Sequence, residues 1–396
     1  MQSLEAYRPF MEKCSHCAFC QATCPSFGAD ISESQMPRAR MEIIRACLLD
    51  KSMPLTRRAR QIIARCLLCG NCNRTCPAAI PVEEMSALAR AEIGGLNPFT
   101  RSVTRRFARN RGLSGIWRVA ANAGRGMGLA PREVPPIAAA PFAPGALSFP
   151  AAGEERARIL YFVGCAANSH CPETARDVVS ALTRNGIAVA VPDGIVCCGA
   201  PLYSAGDLEK ARENARVNVE ALSIEGFDAV VTECTTCASF LKEKTIKLLG
   251  PEDPLAEKAK ALSARVYEAT DYLLGKGLSA EPDPAPRAVT FHVPCHRGFS
   301  PTVDEAPRRL LEKVPGLTIR DMERPDACCG AGGLFFAKNR AVSGEIRRRK
   351  LSDIEASGAE CVVTPCPMCR AFISGADRRI ETVHPLSLVR YGKEEP

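Results

Sequence analysis

Eighteen of the 21 cysteines in this 396-residue chain fall into two patterns, each of which occurs twice. The first pattern is CxxCxxCxxxCP, at residues 14–25 and 66–77. The two-residue gaps let three successive thiolates bind three corners of one [4Fe–4S] cube, while the fourth cysteine, beside proline, binds the neighbouring cluster. The predicted ligand sets are Cys14, Cys17, Cys20 and Cys76 for the first cubane, and Cys66, Cys69, Cys72 and Cys24 for the second.

Zinc is the alternative metal for these runs, because CxxC pairs also build zinc sites. A zinc ion takes four ligands, usually from two separated pairs. A triple CxxCxxC with a trailing Cys-Pro, present twice, suits zinc poorly. The pattern therefore favours two cubanes, and two clusters held close by crossed ligands would pass single electrons.

The second pattern contains five cysteines and reads C-x31-CC-x35-C-x2-C in its first copy and C-x32-CC-x36-C-x2-C in its second. Five thiols are too many for one zinc ion, but an adjacent pair can bind different irons of a larger cluster. Gly199 and Gly330 follow the pairs and would let the backbone turn close to a bulky inorganic group. The alternative is that one copy keeps its cysteines only as landmarks of the fold. The predicted ligands are Cys165, Cys197, Cys198, Cys234 and Cys237 in the first copy, and Cys295, Cys328, Cys329, Cys366 and Cys369 in the second.

Short β-rich runs must position these cysteines. Residues 158–165 and 288–295 end on the first cysteine of each copy, and residues 229–234 and 361–366 end on its CxxC pair. Helical stretches such as 207–220 separate the runs, and corresponding cysteines lie 130 to 132 residues apart. The constant offset predicts an internal duplication. Alternating strands and helices predict two α/β units with parallel sheets and their cysteines at the carboxyl ends of strands.

Other segments complete the predicted organisation. Residues 37–49 read as a helix with apolar side chains at three- and four-residue steps. Residues 131–153 are rich in Pro, Ala and Gly, so we expect extended, unpaired backbone and a domain boundary there. Cys47, Cys171 and Cys361 stand outside both patterns and are expected to be buried, although Cys171 is close enough in sequence to Cys165 to approach the first site.

The predicted fold is α+β and multidomain. It consists of a helical bis-[4Fe–4S] ferredoxin-like domain (1–100), a basic helical connector and Pro/Ala-rich linker (101–153), and two duplicated α/β cysteine-rich units. We call these the CCG units after their Cys-Cys-Gly triplets, and place them at 154–280 and 281–396.

The net charge of +8 is modest for this length, and arginines between residues 101 and 125 supply part of it. They indicate either a solvated connector or a basic face for an acidic partner or anionic lipid. Aromatic residues are not interleaved with them, so nucleic acid is not an expected partner. No run of eighteen apolar residues is present, and the polar start lacks the pattern of a secretory signal. We therefore expect a cytoplasmic protein with reduced thiols, at most peripheral on the inner face of the cytoplasmic membrane.

The five-cysteine spacing resembles the CCG domain of heterodisulfide reductases, in the subunits that reduce a mixed disulfide. The whole chain is similar to the iron–sulfur subunits of glycolate oxidase, and it also resembles the third subunit of anaerobic glycerol-3-phosphate dehydrogenase. The glycolate-type likeness is strongest at CysSerHisCysAlaPheCysGlnAlaThrCysProSer (14–26), MetProArgAlaArg (36–40) and ArgCysLeuLeuCysGlyAsnCysAsnArgThrCysPro (65–77).

The resemblance implies two [4Fe–4S] cubanes and one or two non-cubane [4Fe–4S] clusters in the CCG units. It implies an electron-transfer subunit of a 2-hydroxy acid dehydrogenase, in which an FAD-containing partner oxidises glycolate or D-lactate and a quinone or another carrier accepts the electrons. This chain has no flavin or nicotinamide fingerprint, so we expect no flavin bound to it. The alternative function is reduction of a disulfide at a non-cubane cluster. No residue is assigned a catalytic role.

Overall fold

A computed structural model of the protein describes residues 3–95, 97–109, 115–127, 136–279, 281–375 and 380–390. The described residues belong to two compact units, which we call the helical unit and the sheet unit. The helical unit comprises Met1–Arg105, Ala200–Ala211 and Ala327–Lys350. The sheet unit comprises Arg106–Gly199, Arg212–Asp326 and Leu351–Pro396.

The helices and strands are as follows. The first nine helices are α1 Arg8–Glu12, α2 Phe19–Ala22, α3 Pro25–Ala29, α4 Pro37–Ile44, α5 Arg57–Ala64, α6 Asn71–Thr75, α7 Val82–Glu92, α8 Pro98–Phe107 and α9 Gly115–Gly126. The remaining helices are α10 Cys165–Ser169, α11 Pro172–Arg184, α12 Ala200–Ala205, α13 Leu208–Leu222, α14 Thr235–Ser239, α15 Thr245–Leu249, α16 Ala256–Ala264, α17 Ala269–Lys276, α18 Ala306–Leu311, α19 Phe335–Lys338, α20 Arg340–Ala356 and α21 Pro367–Ser374. The strands are β1 Leu147–Phe149, β2 Ala157–Tyr161, β3 Ile187–Val191, β4 Ala229–Thr232, β5 Val266–Glu268, β6 Arg287–Phe291, β7 Leu317–Ile319, β8 Cys361–Val363 and β9 Glu381–Val383.

The core of the helical unit forms where α4 packs against α5 and α7. Met41, Ile44, Ile63 and Met85 are each almost completely buried in it. The predicted helix at 37–49 is confirmed, because α4 continues into a wider π-helical turn at Arg45–Leu49. Pro37 begins α4 at a position where a missing N–H costs nothing.

The sheet unit contains two sheets that share an arrangement of four parallel strands, and the first has an additional antiparallel edge strand, β1. The first has the strand order β1-β3-β2-β4-β5 and the second β7-β6-β8-β9, with all pairs parallel except β1 with β3. Strands β2, β3 and β4 occupy the same places as β6, β7 and β8, so the predicted duplication appears in the topology. The predicted fold class, mixed helix and sheet with two CCG repeats, is confirmed.

Two expectations about the connecting region were wrong. Residues 147–149 were expected to be unpaired, but they form β1, in which Leu147 pairs with Val191 of β3. Arg118 was expected on a solvated or partner-binding surface, but it is buried and donates a hydrogen bond to the carbonyl of Ala138 at 2.9 Å. Residues 131–135 of the linker, Arg111 and the side chain of Arg125 lie outside the described part of the chain.

Among the described residues, no helix combines the length and the apolar character needed to cross a bilayer.

The packing of α11 on β3 allows a direct test of the first sheet. Leu182 of α11 is fully buried, so Leu182→Ala should lower the free energy of unfolding by about 3 kcal/mol through lost burial and a residual cavity. Arg176→Ala, at an exposed position of the same helix, should change it by less than about 0.5 kcal/mol. Urea denaturation followed by circular dichroism measures both, and equal effects would contradict this packing.

Candidate iron–sulfur centres

The two CxxCxxCxxxCP runs fold as matching loops followed by short helices. His16 and Ala18 in the first loop have φ angles of 57° and 63°, and Leu68 and Gly70 in the second have 56° and 69°. Three of these residues are not glycine, and a left-handed conformation costs such residues energy. The same costly turns at equivalent positions indicate that both loops wind around a common kind of centre.

The thiols of the second run lie with a cysteine from the first. The pKa of Cys72 is raised well above its usual value, chiefly by burial and then by the neighbouring Cys66, Cys69 and Cys24. Cys24 of the first run therefore lies close enough to Cys72 of the second to raise its pKa. This proximity agrees with the crossing that the sequence predicts for the second cubane, and the ligand assignment remains a prediction.

The first three cysteines of the first run, Cys14, Cys17 and Cys20, line one narrow cavity together with Cys76 and Cys72. Burial is the main cause of a raised pKa at Cys20, with smaller contributions from Cys14, Cys24 and Cys17. Cys24 thus adjoins both groups of thiols, as does Cys72, so the two predicted cubane sites are neighbours. Closely spaced centres are what single-electron transfer between clusters requires.

Backbone and side-chain charges of the helical unit favour negative charge at these sulfurs. The N–H of Leu68 donates to Cys66 Sγ at 3.4 Å. Arg90 is buried and donates to the carbonyls of Cys66 and Ala64, and Arg40 is buried and donates to the carbonyls of Ile62, Gln35 and Arg65. None of these acceptors is a carboxylate, so both guanidinium charges remain available to balance thiolate charge.

The five cysteines of the first CCG unit form a continuous chain of contacts. Cys197 Sγ lies 3.5 Å from Cys165 Sγ and also contacts Cys198, and Cys237 contacts Cys198 and Cys234. Hydrogen bonds from Cys165 and Cys198 lower the pKa of Cys197, and the bond to Cys197 raises the pKa of Cys165. Metal binding replaces such thiol protons, because a thiolate is the ligand.

The Cys-Cys-Gly triplets turn in the same way in both copies. Gly199 and Gly330 have φ angles of 98° and 96°, a region that favours glycine. The Gly330 N–H donates to Cys328 Sγ at 3.3 Å, and the Gly199 N–H lowers the pKa of Cys197 by donating to it in the equivalent contact. The glycine thus places an amide against the first sulfur of each pair.

Two buried asparagines hold the first triplet. Asn214 and Asn218 lie one turn apart on α13 and donate to the Cys197 carbonyl at 3.0 and 3.3 Å. Asn218 also accepts from the Val196 N–H at 2.9 Å. Sequence reasoning missed both residues, although asparagines four apart in a helix interior are unfavourable enough to be a signal.

Gly164 and Glu233 lie beside the first site, where strands β2 and β4 end. The Gly164 N–H donates to Glu233 Oε1 at 2.8 Å, and burial raises the pKa of this carboxyl. A Cβ at position 164 would stand 3.0 Å from Cys237 Sγ and 2.7 Å from Glu233 Oε1. The backbone therefore approaches the sulfurs as closely as glycine allows.

The cysteines of the second CCG unit belong to different compact units. Cys295, Cys366 and Cys369 lie in the sheet unit, and Cys328 and Cys329 lie in the helical unit. Their grouping as five ligands remains a prediction.

Within the sheet unit, the two CxxC motifs are neighbours. Cys234 hydrogen-bonds Cys366, and the Thr235 N–H donates to the Pro365 carbonyl at 3.1 Å. Thr236 Oγ1 lies 2.9 Å from His296 Nδ1, so this histidine beside Cys295 contacts the first CCG unit.

The cysteines outside the patterns have structural positions. Cys47 and Cys361 are buried, as expected, and Cys361 belongs to the core beside β6. Cys171 is also buried, at the start of α11, where burial raises its pKa to about 11.

The donor sets fit iron–sulfur chemistry. They consist of sulfur alone, they lie at strand ends and in tight loops, and amides and buried guanidinium groups surround them. Charge balance and hydrogen bonds to sulfur are the protein's means of adjusting such clusters. No disulfide joins any of the 21 cysteines, each of which lies within the described ranges.

Comparison with known proteins agrees with this chemistry. Residues 159–242 and 289–374 match the family model of a cysteine-rich domain, and residues 10–80 match that of a 4Fe-4S dicluster domain. These matches and the fold define an iron–sulfur protein with one dicluster domain and two cysteine-rich domains.

Similarity to individual proteins identifies the family more specifically. Lactate utilization protein A of Shouchella clausii is 34% identical over 56% of this chain and 92% of its own length. The glycolate oxidase iron-sulfur subunit of Escherichia coli is 26% identical over 93% of this chain and 91% of its own. The chain belongs to the family of iron–sulfur proteins that contains these two proteins. A fumarate reductase (CoM/CoB) subunit of Methanothermobacter marburgensis is 30% identical over 54% of this chain, which spans only 41% of that relative's length.

The crossed assignment predicts how paired substitutions combine. Cys24→Ala with Cys72→Ala should remove about four iron atoms per chain, because both residues are predicted to bind one cubane. Cys24→Ala with Cys20→Ala should remove about eight, because they are predicted to bind different cubanes. Iron and sulfide analysis with electron paramagnetic resonance, on anaerobic preparations, measures this. The reverse order of losses would refute the crossing.

The close approach at Gly164 predicts a local effect on the first CCG site. Its φ of −67° suits alanine, so the backbone conformation does not disfavour Gly164→Ala. The cost of this substitution comes from the contact of the added Cβ with Cys237 Sγ and Glu233. This variant should lose the spectral signal of the first CCG cluster and keep those of the cubanes. Gly275→Ala is the control, because no atom lies within 4 Å of its added Cβ. An unchanged CCG signal in Gly164→Ala would show that no cluster sits against this turn.

Proposed function

We propose that this chain is the iron–sulfur electron-transfer subunit of a flavin-dependent 2-hydroxy acid dehydrogenase, acting on glycolate or D-lactate. An FAD-containing partner would oxidise the substrate, and a quinone or another carrier would accept the electrons. The observation that carries the proposal is that two clusters of cysteine thiols are neighbours in the helical unit. The chain that contains them is similar to a glycolate oxidase iron-sulfur subunit along 93% of its length.

The proposed cofactors are two [4Fe–4S] cubanes and one or two non-cubane clusters in the CCG units. When bound, they would supply one-electron transfer. The chain's own residues would set the conditions: Arg40, Arg90 and the Leu68 N–H favour added negative charge, and burial of Cys66, Cys69 and Cys72 excludes water from the sulfurs. Cysteines that form no disulfide within the described ranges suit the reducing conditions of the cytoplasm, where we place the protein, at most peripherally on the inner face of the membrane.

A second candidate function is reduction of a disulfide at a CCG site. The adjacency of Cys234 and Cys366 favours it, because two sulfur-rich centres side by side could supply two electrons to one disulfide. One of the similar proteins is named a fumarate reductase (CoM/CoB) subunit. The electron-transfer function is better supported, because the likeness to the glycolate oxidase subunit extends over nearly the whole chain.

Co-expression with a flavin partner tests the proposal. The complex should reduce a dye with glycolate or D-lactate, and the chain alone should not. Cys72→Ala should leave reduction of the flavin by substrate intact and reduce electron delivery to the acceptor more than tenfold, because it removes a predicted cubane ligand. Cys47→Ala, at a buried cysteine outside both patterns, should retain both activities.

Two results would reject it. Full electron delivery by Cys72→Ala would show that the predicted cubane is not on the electron path. Viologen-driven disulfide reduction by this chain without a partner would favour the second function instead.

A further inference from the structure

The helical unit contains a cavity of about 280 Å³ that none of the predicted cysteine ligands lines. Four cationic side chains line it: Arg57 and Arg60 from α5, Arg90 from α7 and Lys338 from α19. Among its lining residues, all of them described, none carries a carboxylate. Four like charges around one small volume repel one another unless an anion is present.

Three of these cations donate hydrogen bonds to backbone carbonyls. Arg60 donates to the Ile93 carbonyl at 2.8 Å, Arg90 to the Ser204 carbonyl at 2.8 Å, and Lys338 to the Gly95 carbonyl. These acceptors are neutral. A carbonyl satisfies a donor but does not neutralise the group that carries it.

Arg90 also has a buried hydrogen-bond donor without an acceptor. The residue is 6% exposed, and its Nε atom has no hydrogen-bond partner. A buried N–H without an acceptor costs free energy, and such a group calls for an explanation such as a bound ion. The structure thus combines a cation-lined cavity with an unsatisfied buried donor in its wall.

The remaining wall is apolar. Leu334 and Phe335 lie between the cations, and apolar atoms make up most of the lining. The volume is close to the lower end of the range for small-molecule sites. A bare inorganic ion would leave this apolar surface unused, whereas a small molecule with both an oxyanion and an apolar body would satisfy both parts.

We propose that this cavity binds a small organic oxyanion, a carboxylate or a phosphate monoester with an apolar body. The oxyanion lies among Arg57, Arg60, Arg90 and Lys338, and the apolar body lies on Leu334 and Phe335. Because Arg90 also donates to the Cys66 carbonyl, an anion bound here adds negative charge beside the predicted second cubane.

Lys338 gives the site a pH dependence. Burial, with a smaller contribution from Arg90, lowers the pKa of Lys338 to about 8. Its ammonium is therefore charged below pH 8 and loses its proton above it. An anion bound beside Lys338 holds the proton on, so binding should weaken as the pH rises through about 8.

Calorimetry on the anaerobically purified, iron-loaded full chain tests the proposal. Benzoate and phenyl phosphate are the probes for the two oxyanion classes, and the tighter one identifies the class. Benzamide is the neutral analogue of benzoate and should bind at least tenfold more weakly. Arg57→Gln and Lys338→Gln should each weaken binding of the tighter probe about tenfold, the effect of about 1.4 kcal/mol.

Arg58→Gln is the matched control, because Arg58 is exposed on the same helix and does not line the cavity. It removes the same charge and should change binding less than twofold. Benzoate binding should fall as the pH rises through about 8 in the natural protein, and this dependence should vanish in Lys338→Gln. In redox titrations, the bound probe should shift the potential of one cubane to a more negative value.

Three outcomes would overturn the site. Equal binding of benzamide and benzoate would show that the cavity binds these probes through its apolar surface and not through its cations. An equal loss in Arg58→Gln and Arg57→Gln would show a general effect of net charge. If neither probe binds the natural protein by calorimetry, with that protein folded and iron-loaded, the site is rejected outright.

Discussion

The constraint on which the rest of this structure depends is the concentration of negative charge that sulfur ligands bring into a protein interior. Eight cysteines lie close together in the helical unit, and five make continuous contacts in the sheet unit. A buried charge is tolerated only where donors and opposite charges surround it. The amides of Leu68, Gly199 and Gly330, and the guanidinium groups of Arg40 and Arg90, meet this need. Much of the local backbone geometry places these amides and guanidinium groups beside the sulfurs.

The two units solve this problem with different backbone geometry. In the helical unit, left-handed residues turn each loop within its run of three closely spaced cysteines. In the sheet unit, cysteines from distant parts of the chain meet because parallel strands end at one edge. Cys234 comes two residues after β4, and Cys165 comes four residues after β2. A sheet gathers ligands that are far apart in sequence, whereas a loop gathers those that are close.

Prediction from sequence succeeded where the relevant physics is local. The β-rich runs that precede the cysteines and the helical period at 37–49 each depend on a few neighbouring residues. It failed at β1, because three residues in a Pro- and Ala-rich segment become a strand only by pairing with β3. Arg90, Asn214 and Asn218 were missed for the same reason, since their roles depend on carbonyls remote in sequence. Arg40 lies in the MetProArgAlaArg segment, but only the fold shows that it bonds the carbonyls of Ile62 and Arg65.

The two CCG units have cysteines at corresponding positions, but different residues lie beside them. Gly164 and Glu233 of the first copy correspond to Pro294 and Pro365 in the second, so the buried carboxyl and its amide donor exist only in the first. Phe162 corresponds to His292, a buried histidine whose ring nitrogens have no hydrogen-bond partner in the described part of the chain.

A carboxyl group with a raised pKa lies beside one set of sulfurs, and an imidazole takes the place of a phenyl ring near the other. Reduction potentials of iron–sulfur centres respond to nearby charge and hydrogen bonds. Two units with nearly the same cysteine spacing therefore differ in the surroundings that would set the potential of a bound cluster, and such a difference would give electron flow between them a direction.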